Sequence, residues 1–214
     1  PAYYHRHFKD AGFVTERGQA DYTAVLSADM VARYRKIVDD SPGGGMVIRS
    51  WREFGFLAAI DAWADITNSA FARHWGWYPI TRSEVRPMLM SLWDTPVVDL
   101  SIIATRGEEP IGAVFSVPDL SAALATVRPG IDRNASTGGG TRGALINIGV
   151  IENARGRGVA VAMAARSFLE MASRGMRYAG YTLVLDDNWP SRRTAAALGA
   201  HVTSNFVSYR RDLR

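Results

Sequence analysis

LINIGVIENARGRGVA, from Leu145 to Ala160, changes character twice within a few residues. Its first part, Leu145 to Ile151, is almost all Leu, Ile and Val. A short apolar run rich in β-branched residues suits a strand covered on both faces. The next part, Glu152 to Gly158, holds two glycines and two arginines, the composition of a tight turn. From Val159 to Arg174 the chain becomes rich in Ala and Met. Val159, Met163, Phe168 and Met171 recur near helical spacing there. A strand that runs through a glycine-rich turn into a helix start builds an anion site. Backbone N–H groups point outward, glycine permits close approach, and the helix dipole favours negative charge.

Composition narrows what such a site serves. The chain has 214 residues, 47% of them hydrophobic, enough for one large domain with a packed core. It holds no cysteine, which removes disulfides, thiolate metal sites and a cysteine nucleophile, and leaves cytoplasm as the expected location. The four histidines, at 5, 7, 74 and 201, show no metal-ligand spacing, so no metal is expected. No apolar run approaches the roughly 20 residues of a membrane span, and none resembles a signal peptide. Charge is unevenly placed. Residues 1–151 carry 15 basic and 16 acidic side chains, whereas residues 152–214 carry 10 and 5. The positive excess begins at the proposed anion turn. No basic run exceeds two residues, so a small polyanion fits better than nucleic acid.

The remaining segments frame this centre. Residues 1–26 suggest a helical piece up to Gly12-Phe13 and a strand over Asp21 to Leu26. A short helix over Ala28 to Val38 and a break at Ser41 to Gly45 follow, so residues 1–40 read as an N-terminal extension to a domain over 45–214. Met46 to Trp51 is a candidate strand, and Arg52 to Trp75 has helical spacing. Thr81 with Glu84 has capping-box spacing for a helix to about Leu92. Val97 to Arg106 and Ile111 to Val117 suggest a hairpin around Gly107 to Pro110. Pro118 and Asp119 open a short helix to about Val127, and residues 129–143, with three consecutive glycines, form a loop. Tyr178 to Leu185 is an apolar strand, Ser191 to Leu198 a short helix stopped by Gly199, and His201 to Tyr209 a last strand.

The turn Arg155-Gly156-Arg157-Gly158-Val159-Ala160 resembles the pyrophosphate loop of the GNAT N-acetyltransferase superfamily, whose pattern is Arg/Gln-x-x-Gly-x-Gly/Ala. Val150 stands where that family places a Val, whereas Glu152 replaces the usual Pro. Asn188 and Gly199 keep the spacing of the family's late Asn and Gly-Phe, with Ala200 in place of Phe. The order of elements from Met46 onward also matches. Residues Asn68 to Thr81 and Asp186 to Arg193 look like a branch whose members often carry a second GNAT-like half. Residues 1–26 would then be the tail of such a half, because Gly12, Tyr22 and Leu26 repeat the spacing of Gly199, Tyr209 and Leu213.

The resemblance implies an α/β chain of the α+β type, with a mixed, mostly antiparallel sheet flanked by helices. It implies transfer of an acetyl group from acetyl-CoA, or another acyl-CoA, to a primary amine by direct attack. The pyrophosphate would lie on Arg155, Gly156, Arg157, Gly158, Val159 and Ala160. Pantetheine would lie along Ile148, Gly149 and Val150, with Asn188 and Ser191 beside it. The family's general-acid Tyr, seven residues after the Asn, is Ala195 here. Many members also place a carboxylate base on the central strand, where this chain has only Asn147. Asp187 and Tyr209 are the leading candidates for proton transfer, with His74 and His201 behind them. Two alternatives stay open: a longer or carrier-linked acyl donor, and a silent module that binds CoA without turnover. The partner expected is a small-molecule or peptide amine, with a homodimer also open and neither nucleic acid nor a membrane involved.

Overall fold

A computed structural model describes residues 2–41, 45–119 and 141–212 of the chain. Seven strands form one sheet: β1 (Val14–Val25), β2 (Met46–Ser50), β3 (Ile102–Arg106), β4 (Glu109–Pro118), β5 (Arg142–Val150), β6 (Tyr178–Leu185) and β7 (His201–Arg210). Their spatial order is β2-β3-β4-β5-β6-β1-β7. Neighbours run antiparallel except β5 and β6, which are parallel. The eight α-helices among the described residues are α1 (Ala2–Asp10), α2 (Ala28–Asp39), α3 (Trp51–Phe54), α4 (Phe56–Phe71), α5 (Arg82–Met90), α6 (Val97–Leu100), α7 (Val159–Ser173) and α8 (Trp189–Ala197). None is long and apolar enough to cross a membrane. The α/β class and mostly antiparallel sheet expected from the sequence are therefore what the chain forms.

Strand alternation sends successive side chains to opposite faces and so builds two cores. On β3, Ile102 and Ala104 face the cluster around Met163, Phe168 and Met171 of α7, while Ile103 faces Trp51, Ile60 and Trp63 of α3 and α4. Closeness to the helices is set by glycine. A Cβ on Gly112 would meet Met163 at 2.7 Å, and one on Gly143 would meet Met171 at 2.6 Å. A hydroxyl link crosses the α7 face, where Ser116 and Ser167 lie 2.9 Å apart and Ser167 donates to the Leu100 carbonyl.

Several expected elements shift. The helix read from Arg52 to Trp75 is broken at Gly55, whose φ of 100° no right-handed helix can continue, and it ends at Phe71. The strand read from Val97 to Arg106 begins at Ile102. Residues Val97–Leu100 instead form a helical turn after Pro96, bonded from Leu100 N to Pro96 O at 3.0 Å. The Thr81–Glu84 capping box forms in both directions. The helix read after Pro118 and the triple-glycine loop lie outside the described residues, as do Pro42 to Gly44 of the break.

The segment read as an N-terminal extension supplies an interior strand. The expected strand over Asp21 to Leu26 is the C-terminal half of β1, which lies between β6 and β7. Its inner half is buried at Ala20, Tyr22 and Ala24, whereas β7 is exposed along most of its length. α1 rests on this outer ribbon through Phe8, which stacks on Tyr209 at 4.7 Å.

Candidate functional site

Strands β5 and β6 pair only from Arg142–Tyr178 to Leu145–Tyr181, then part. Both are irregular where they separate. On β5, Phe115 pairs with Asn147 and Ser116 with Leu145, leaving Ile146 as an extra, exposed residue. On β6, Ala20 pairs with Val184 and Tyr22 with Tyr181, so Asp21 faces both Thr182 and Leu183. A bulge bends its strand and increases local twist, which suits strands that must diverge. The fork opens onto a cavity of about 640 Å³. One wall is the free edge of β5 from Ile146 to Val150, whose backbone groups on that side have no strand partner among the described residues.

The wide end of the fork meets the start of α7. Ile151 enters a turn of 3-10 helix over Glu152–Ala154, and Gly156 and Gly158 follow with φ of 74° and 77°. Gly158 is the N-cap and has no side chain to bond the first turn. The first bond into this helix is from Ala162 N to Gly158 O, at 3.0 Å. The N–H groups of residues 159–161 therefore have no partner within the helix, and all three residues line the cavity. With the dipole of a 15-residue helix behind them, they form a cradle for an anion.

The structure brings most of the expected binding residues together. Ile148, Gly149 and Val150 line the cavity, as do Arg155, Gly156, Gly158, Val159, Ala160, Asn188 and Ser191. Arg157 is exposed and does not line it. Arg155 also holds the turn in place. Its Nε donates to the Val150 carbonyl at 3.0 Å and an Nη to the Ala70 carbonyl at 3.2 Å, clamping α4 to the turn. Gly149 permits that contact, since a Cβ there would stand 3.1 Å from the Ala70 Cβ.

The two leading proton-transfer candidates lie elsewhere. Asp187 is exposed and ion-paired with Arg17 at 2.6 Å. Tyr209, on the outermost strand, is bonded to His5 and stacked on Phe8. Neither lines the cavity, and nor does His201, which is exposed at the start of β7. Side-chain alternation along β7 and the ion pair across to β1 explain why chain position alone did not place them. His74 does line the cavity. Its Nδ1 donates to the Trp75 carbonyl at 2.9 Å, which leaves the other ring nitrogen to accept.

Three residues of β6 complete the floor without any signal in the sequence. Tyr181 is 2% exposed, and its hydroxyl lies 2.8 Å from that of Ser191. Burial pushes the Tyr181 phenol up to about 12, against the bond from Ser191 and with the support of Tyr22. Thr182 Oγ1 donates to the Leu145 carbonyl at 3.1 Å, at the last paired position of the fork. Leu183 adopts φ 52°, the only left-handed non-glycine among the described residues. Across the helix corner, the Asn188 side chain accepts from Ser191 N at 3.2 Å and so caps α8 with Ser191 in its first turn. On the opposite wall, Thr67 Oγ1 donates to Asn147 Oδ1 at 3.4 Å. No group of three or more His, Asp or Glu among the described residues is placed to hold a metal ion.

No family model matches the chain, and no curated protein matches it in sequence. Solved structures do. A GCN5-related N-acetyltransferase from Sphaerobacter thermophilus superposes with TM-score 0.66 at 18% identity, over 98% of this chain and 56% of that one. One from Kribbella flavida gives 0.55 at 9% identity, over 96% and 62%. An aminoglycoside N-acetyltransferase solved with CoA gives 0.57 at 19% identity, over 80% and 97%. The chain thus spans little more than half the length of the first two. Superposing over nearly its whole length on these structures, the chain has the fold of the GCN5-related N-acetyltransferases.

Proposed function

We propose that the chain is an N-acyltransferase that takes its acyl group from an acyl-CoA thioester, acetyl-CoA first, and passes it to a primary amine by direct attack. The observation that carries this reading is the fork between β5 and β6, which leads from an unpaired strand edge to the uncapped N-terminus of α7. A pyrophosphate suits the free N–H groups at Val159 to Val161, and an extended chain bearing amides suits the open edge of β5. The solved relative with CoA shares this fold and supports the choice of ligand.

Acyl transfer also needs a donor for the leaving sulfur and an acceptor for the amine proton. Ser191 fills the first role. Ser191 lines the cavity, and its hydroxyl pairs with that of Tyr181, which is enclosed and neutral. Among the described residues that line the cavity, His74 alone has a ring nitrogen left to take a proton, directly or through water. One observation favours a second reading, a module that binds CoA without turnover. Ala195, where the family's Tyr stands, is fully buried and offers no acid.

Calorimetry with CoA, followed by thiol release from a panel of acyl-CoA thioesters with mixed amines, tests both readings. Binding with turnover supports the enzyme, and binding without turnover on any amine supports the silent module. No binding of CoA would overturn both.

A further inference from the structure

Resting on that reading of the cavity, we infer that Asp21 is a positioning residue of the site: its carboxylate pins the bulge in β6 that holds the fork open. The bulge begins one residue after Tyr181, whose pair with Leu145 is the last between β5 and β6. Within it, Leu183 sits at φ 52°, a left-handed conformation that branched side chains avoid and glycine adopts freely. Such a conformation persists only where its surroundings over-determine it. Here the Leu183 N–H donates to Asp21 Oδ1 at 2.7 Å. A bulge costs its strand a ladder partner, and the Asp21 side chain replaces it.

The result is visible in the cavity. Leu183, 57% exposed, and Thr182 both line it. The next residue of β1 works on the same corner. Tyr22 is buried beside Tyr181, its partner in register, and accepts from Arg192 Nε at 3.1 Å. The first strand of the chain thus buttresses a site whose ligand-facing residues come from β5, α7, β6 and α8.

Calorimetric titration of the full chain and its variants with CoA tests this. Asp21→Ala should weaken CoA binding on the order of ten-fold, as expected for loss of a charged hydrogen-bond acceptor. Asp21→Asn keeps an oxygen at the same place and should restore most of the affinity. The double variant Asp21→Ala/Leu183→Gly should also regain it, because glycine holds the left-handed conformation without the carboxylate. Should Asp21→Ala not fold, the double variant carries the test: it should fold and bind CoA, and a folded double variant that binds no CoA would overturn the inference. Native binding of CoA with an unaffected Asp21→Ala, or a double variant no better than Asp21→Ala, would overturn this inference alone. A native chain that binds no CoA would overturn the reading of the cavity and this inference with it.

Discussion

The hydroxyls of Tyr181 and Ser191 meet at 2.8 Å across the corner between β6 and α8. Among the described residues neither hydroxyl has another side-chain partner, so the two pair with each other at the edge of the cavity. Ser191→Ala should lower kcat roughly 100- to 1,000-fold with little change in CoA affinity, the range for losing one preorganised donor. Tyr181→Phe should cost less, because Ser191 remains. Because burial holds the Tyr181 phenol at about 12, it stays protonated through any practical assay. The rate profile of the native chain should show no inflection from it, and Tyr181→Phe should leave the profile's shape unchanged below about pH 10.

Gly158 at φ 77° opens α7 without a side chain at the anion cradle. Gly158→Val adds a branched side chain in a conformation that costs about 1–3 kcal/mol and blocks close approach. CoA binding should vanish in calorimetry, and Tm should fall by about 2–10 °C. Retained binding would place the ligand elsewhere.

The two arginines of the turn should behave differently. Arg155 bonds two backbone carbonyls, from Val150 and Ala70, and Arg157 makes no such bonds among the described residues. Arg155→Ala should destabilise the chain by about 1–3 kcal/mol in denaturant unfolding and weaken CoA binding with it. Arg157→Ala should leave the unfolding midpoint unchanged.

Asp61 carries the acid sensitivity of the α4–α5 pair. The Arg86 guanidinium, bonded through Nε at 2.8 Å, holds its carboxyl below the usual 3.8; burial opposes this, and Arg82 assists. A carboxyl with a lowered folded pKa stabilises the fold fully above its unfolded value, near 4, and loses that contribution as pH falls through the folded value. Tm of the native chain should therefore drop below about pH 4 more steeply than that of Arg86→Met, which has already lost the pair. Equal slopes would remove Asp61 from the account.

The order of elements, the strand over Tyr178 to Leu185 and the turn from Arg155 to Ala160 were legible because local composition dictates them. Glycines with obligatory positive φ, apolar runs and a capping box all act over a few residues. The Asp21–Leu183 contact was not legible, because nothing in the sequence tells a leucine to adopt φ 52°; that follows from a register between residues 162 positions apart. Tyr181 was hidden in the same way, as an ordinary member of a strand; Ser191 was named beside pantetheine by the resemblance, but its pairing with Tyr181 was not. Asp187 and Tyr209 are polar residues near motif positions, yet an ion pair to Arg17 and a stack on Phe8 occupy them.

The place of β1 between β6 and β7 fixes when the site can exist during folding. Its partners are Tyr178–Leu185 and His201–Arg210, so β1 must wait for nearly the whole chain before its backbone is paired. Closing so long a loop is slow, and rates fall as sequence separation between contacts grows. β2, β3 and β4, with Trp51 and Trp63 packed on them, rely on contacts much nearer in sequence and can assemble first. Amide exchange should then find the most readily opened unit in β1, β7 and the bulge at Leu183, with the β3–β4 hairpin opening last. The half of the molecule that shapes the cavity is thus the last to form and the first to come apart.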